Sequence, residues 1–113
     1  MRKILQFHQK IVLILGATLL FVSHPLKAQW YQIVDLQFQI FLQANFPLAV
    51  QGDSINIAHL SVVNTTELTI DNMQIIFIDG IEAFQNLTKF SAKNNQFNYL
   101  YPIENLVHLR KYI

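Results

Sequence analysis

Apolar residues in the C-terminal half of this chain follow a pattern that repeats after a shift of 22 positions. From Leu87 they run Leu87, Phe90, Ala92, Phe97, Leu100, Ile103, Leu106, Leu109 and Tyr112, with Asn95 the one polar residue of the series. Moved back by 22, they land on Thr65, Leu68, Ile70, Ile75, Ile78, Ile81, Phe84, Leu87 and Phe90, and Asn95 lands on Met73. Eight of the ten pairs are apolar in both copies, whereas independent placement in a chain that is 52% hydrophobic gives roughly a quarter. Self-similarity at this period marks an α/β-type solenoid of stacked coils.

Each copy reads as one coil. Phe90 and Ala92 alternate with Lys89, Ser91 and Lys93, which predicts a short strand with one buried face and one rung of a parallel sheet. Phe97, Leu100, Ile103 and Leu106 then fall three apart, so the chain curls around a narrow core that includes Leu100. Pro102 opposes a regular α-helix there, and the return segment is expected to be irregular or 3₁₀ on the convex side.

Leu87 to Leu109 reads L-x-x-F-x-A-x-x-N-x-F-x-x-L-x-x-I-x-x-L-x-x-L. This resembles the leucine-rich repeat family, specifically its internalin-like 22-residue class, with Phe and Ala replacing Leu at two places. The resemblance implies that Asn95 is a buried amide bonding backbone groups at the turn that leaves the strand. The upstream copy departs from the family at Met73, so a ladder of such amides is not continuous here.

Upstream of residue 61 the 22-residue register is lost. Asp35, followed by Phe38, Phe41 and Leu42 and then by Asn45 and Pro47, predicts a short helix with an N-cap and a stop. Leu36, Phe38, Ile40 and Leu42 also alternate with Gln37 and Gln39, a strand pattern; the helix is the preferred reading. The segment resembles the helical N-terminal cap that precedes the first repeat in secreted bacterial members of the family. Ile55, Ile57, Leu60 and Val62 are expected to continue its core, with Gly52-Asp53-Ser54 as the turn between. The expected organisation is a leader over 1–28, a cap over 29–60, and two repeats with the start of a third over 61–113.

Arg2, Lys3 and Lys10 precede the apolar stretch Ile11 to Val22, and Leu26-Lys27-Ala28 offers a cleavage point before Gln29, as in a secretory signal peptide. The stretch falls short of the roughly 20 residues needed to cross hydrocarbon, so no membrane span is expected after cleavage. Removing the leader takes four of the eight basic residues and leaves all seven acidic ones, a net charge of −3. No basic stripe then remains to suggest nucleic-acid binding. The chain has no cysteine, so its fold rests on packing and not on disulfides.

Candidate catalytic chemistry is sparse. His59 and His108 have no partner at metal-ligand spacing, Gly52 and Gly80 belong to no phosphate-binding pattern, and Ser61 and Ser91 sit in no nucleophile elbow. Asp79 and Glu82 flank Gly80 and read as a solvated turn. No enzyme activity, cofactor or metal is expected.

What the pattern offers is a surface. Glu67, Thr69 and Asp71, then Lys89, Ser91 and Lys93, then Lys111, point outward from the strands onto the concave face, with Glu67 beside Lys89 and Asp71 beside Lys93. The resemblance implies that this face binds a protein partner. The expected function is a secreted or cell-surface protein-interaction module, the N-terminal part of a longer adhesin or host-interaction protein. The alternative is a truncated or vestigial fragment with no independent partner. The sequence stops at Leu109-Arg110-Lys111-Tyr112-Ile113, inside a third strand, which suggests a fragment whose open edge favours self-association.

Overall fold

Asp35 starts the first helix, α1 (Leu36–Asn45), by the mechanism its side chain allows: Oδ1 accepts from the backbone N–H groups of Gln37 at 2.8 Å and Phe38 at 3.1 Å. Phe38 and Leu42, four residues apart, form the buried stripe, so the helical spacing prevails over the competing strand alternation. The computed structural model describes residues 29–113; the leader expected over 1–28 lies outside them.

Around α1 the chain forms a small antiparallel sheet of β1 (Trp30–Gln32), β2 (Val50–Gln51) and β3 (Ser54–Asn56), in the order β1-β3-β2. Gly52, at φ +58°, makes the tight turn between β2 and β3, at the Gly52-Asp53-Ser54 position expected for a turn. A single turn of helix, α2 (Leu60–Val63), follows across the expected 60/61 boundary.

The repeats supply the second sheet. The strands β4 (Glu67–Thr69), β5 (Lys89–Ser91) and β6 (Lys111–Tyr112) lie parallel and in sequence order. Glu67 pairs with Lys89 and Lys89 with Lys111, while Leu68 pairs with Phe90 and Phe90 with Tyr112, which is the register of the 22-residue shift. Two 3₁₀ segments, Ile81–Ala83 and Tyr101–Asn105, form the return side.

One core runs through cap and coils. Ile33, Phe38, Leu42, Ile55 and Val62 from the cap are continuous with Ile70, Ile75, Ile78, Ile81, Phe84, Leu87 and Phe90. Phe46 of the cap meets Phe84 of the first coil with ring centroids 5.2 Å apart and planes tilted by 59°. Gly80 is a point of close approach between the two parts: at φ +106°, an added Cβ would stand 3.1 Å from Ile33 Cγ1 and 3.4 Å from the Gln32 carbonyl.

Several expected core residues lie elsewhere. Leu100 is 39% exposed although its counterpart Ile78 is fully buried. The second 3₁₀ segment begins at Tyr101, whereas the first begins at Ile81, the counterpart of Ile103. This early turn swings Leu100 outward and buries Pro102 in its stead. Leu60 is 71% exposed because it opens α2, whose inward position is Val62. Ile57, Phe97, Ile103 and Leu109 are partly buried against the core and Leu106 is buried. The three cap strands, two or three residues each, carry no alternation that predicts them.

Two polar side chains tie the first coil to its neighbours. Asn95 Oδ1 accepts from the N–H groups of Met73 at 3.1 Å and Ile75 at 3.0 Å, and its Nδ2 donates to the carbonyls of Ile70 at 2.8 Å and Ala92 at 3.2 Å. The implied amide is therefore present, half-buried rather than buried, and most of its bonds reach the preceding coil. From the other side, Asp35 Oδ2 accepts from the N–H groups of Ile76 at 2.8 Å and Phe77 at 3.2 Å. An amide at position 73 would face the cap, where no repeat coil stands to receive it, and Met73 packs against the shared core instead.

Candidate protein-binding surface

The outward positions of β4, β5 and β6 form three rows. Glu67, Lys89 and Lys111 make the first, Thr69 and Ser91 belong to the second, and Asp71 and Lys93, just beyond the strand ends, make the third. Leu68 and Phe90 are the inward partners that fix these side chains by burial, so each row projects from a packed core. A shallow depression over the sheet is lined by Glu67, Thr69, Lys89, Ser91 and Lys111.

Glu67 and Lys89 form an ion pair, Oε1 to Nζ 3.2 Å, with both side chains mostly exposed. At that exposure the pair contributes at most about 0.2–1 kcal/mol. The companion pair expected between Asp71 and Lys93 does not form as an ion pair. Asp71 Oδ1 instead accepts from the Ser91 hydroxyl at 2.7 Å and from the Lys93 backbone N–H at 2.7 Å, because these donors are fixed by the strand and the lysine ammonium is not. The Ser91 hydroxyl, with help from that amide, holds the Asp71 carboxyl below its ordinary pKa. A polar rung continues next to it, where Asn94 Nδ2 donates to Asn72 Oδ1 at 2.9 Å. Both residues have φ +58°, a conformation asparagine tolerates better than most.

The far side of the coils is of a different kind. Phe77 leans on Tyr99 at 5.8 Å and Tyr99 stacks on Tyr101 at 4.7 Å, while the Tyr99 hydroxyl donates to Asp79 Oδ2 at 2.6 Å. That bond, with burial second, keeps the Tyr99 hydroxyl protonated well above its usual range. Glu82 is partly buried, which raises its pKa, and its Oε2 accepts from Gly80 N–H at 3.2 Å. Asp79 and Glu82 are thus engaged by the fold and are less solvated than the turn reading supposed. Sequence reasoning also missed that His59 Nδ1 accepts from Ser61 N–H at 3.2 Å and lies 2.8 Å from the Ser61 hydroxyl. The contact caps α2, and a histidine two residues before a serine at a helix start was the available signal.

Among solved structures, the crystal structure of an internalin from Listeria monocytogenes matches with a TM-score of 0.60 and 26% sequence identity, over 72% of this chain and 24% of the internalin chain. The fold is leucine-rich-repeat-like. The chain spans about a quarter of the internalin it matches. No family model and no curated protein matches the sequence. A leucine-rich-repeat-like sheet of this kind offers fixed side chains at regular spacing, which suits recognition of another protein. No helix among the described residues is long and apolar enough to cross a membrane.

Proposed function

We propose that the chain is a secreted or cell-surface protein-interaction module, built as an N-terminal cap and the first coils of a solenoid, and that its concave sheet face binds a protein partner. In this reading it corresponds to the N-terminal part of a longer adhesin or host-interaction protein and is not an enzyme. The observation that carries it is the set of outward rows Glu67-Lys89-Lys111 and Thr69-Ser91, held rigidly over a core shared with the cap. The likeness to an internalin supports a protein as the ligand.

Export is checked by the mass of the product outside the cytoplasm, which is expected to begin at Gln29. An intact Met1 in the membrane fraction would oppose it. For the binding face, a photo-crosslinking residue is placed at Thr69, and separately at Glu104 on the opposite side. Exposure to the surfaces of candidate host cells is expected to give a discrete protein adduct from position 69 and none from position 104. Equal labelling from both positions, or none from either, would overturn the assignment of the sheet face.

A further inference from the structure

The charges of the described residues are sorted by side. All four cations, Lys89, Lys93, Arg110 and Lys111, lie on β5 and β6 or within two residues of them. Asp79, Glu82 and Glu104 lie on or beside the 3₁₀ segments across the core, Asp35 is buried against α1, and Asp53 sits at the β2–β3 turn. Only Glu67 and Asp71 share the sheet face with the lysines, and both belong to the β4 side.

Those two carboxylates do not balance the three lysines. Glu67 pairs with Lys89 at 3.2 Å, the one ion pair within 4.0 Å among the described residues. Asp71 is turned to the Ser91 hydroxyl and the Lys93 backbone N–H, so neither Lys93 nor Lys111 makes an ion pair within 4.0 Å, although the Lys93 charge still helps to lower the Asp71 pKa. Lys111 also stands directly opposite Lys89 across the parallel β5–β6 pair. Like charges in that position, on strands about 4.8 Å apart, repel each other and weaken the sheet. A negative group laid over β5 and β6 would turn that repulsion into attraction. Lys89 and Lys93 are four residues apart, Lys93 lying two residues past the end of β5, so at most about 13 Å of chain separates them. This is the span of several residues of an extended peptide, and the hydroxyls of Thr69 and Ser91 lie between the rows.

We propose that this face recognises an acidic segment of the partner protein, with its glutamate or aspartate side chains over Lys89, Lys93 and Lys111. The proposal rests on the interaction reading above and adds the chemistry of the partner. Lysine ammoniums act as point charges without the fixed fork of arginine, so selection is for charge and spacing, and binding is steep in salt.

The test uses a fluorescein-labelled hexaglutamate peptide against the exported chain at about 20 mM salt, where surface charges are weakly screened. Saturable binding is expected, lost at about 300 mM salt and absent for hexalysine. Lys93→Gln with Lys111→Gln should weaken it by about tenfold, and Glu67→Gln, which frees Lys89, should tighten it by about threefold. Thermal melts establish that each variant is folded. Failure of hexaglutamate to bind, or binding unchanged in the double variant, would overturn the proposal. So would tighter binding of a heparin hexasaccharide, which would assign the face to a sulfated polymer. A position-69 crosslink in the face of any of these results would retain the protein-binding surface and reject only its acidic ligand.

Discussion

Asp35→Ala is expected to destabilise the chain by about 3–4 kcal/mol, more than any exposed substitution on the sheet face. The carboxylate accepts four backbone N–H bonds, two from the first turn of α1 and two from Ile76 and Phe77 of the first coil. Loss of an N-cap costs about 1 kcal/mol. Hydrogen bonds to a charged acceptor contribute about 1.5–3 kcal/mol each, and unpaired donors in this partly buried seam carry a further penalty. Asp35 is only 7% exposed, so water does not readily replace it. Urea melts measure the loss, and Asp35→Ser separates the two roles. Serine caps a helix but is too short to reach Ile76, so it should recover about 1 kcal/mol. Equal stability of the Ala and Ser variants would show that the contact with the first coil contributes everything and the cap nothing. A loss below about 1 kcal/mol for Ala would refute the dual role altogether.

Asn95→Ala is expected to cost about 2–3 kcal/mol, through the amides of Met73 and Ile75 and the carbonyl of Ile70 left without partners. The two substitutions also leave different traces. Amide hydrogen exchange should quicken at Met73 and Ile75 when Asn95 is removed, and at Ile76 and Phe77 when Asp35 is removed. Exchange that rises uniformly over all four positions in both variants would mean that the side chains support global stability and not these particular bonds.

The repeat register was legible because it is local arithmetic: a 22-residue shift sets Glu67 on Lys89 and Leu68 on Phe90, and parallel strands keep that offset. The capping role of Asp35 was legible for the same reason, since an N-cap acts on residues two and three positions away. Its bonds to Ile76 and Phe77 span 41 and 42 positions, and no periodicity reports a contact of that length. The cap sheet escaped notice because strands of two or three residues are too short to display alternation. Leu100 was misplaced by extrapolating from Ile78, while the extended 3₁₀ turn containing Pro102 changes the path of the second coil. On the sheet face, the outward set Glu67, Thr69, Lys89, Ser91 and Lys111 follows from side-chain alternation. The pairing of Asp71 does not, because the Ser91 hydroxyl and the Lys93 backbone N–H compete with a lysine ammonium and sequence carries no measure of which is nearer.

The direction of Asn95's bonds sets an order of events during synthesis. Met73 leaves the ribosome 22 residues before the amide that accepts its N–H group. At about 5–20 residues per second this interval is about 1–4 s. Once Ile76 and Phe77 have followed, the cap can hold them through Asp35, while the neighbouring turn at Met73 and Ile75 still lacks its closing group. The first coil is therefore held on its older side and loose on its younger side until the second coil, through Asn95, finishes it.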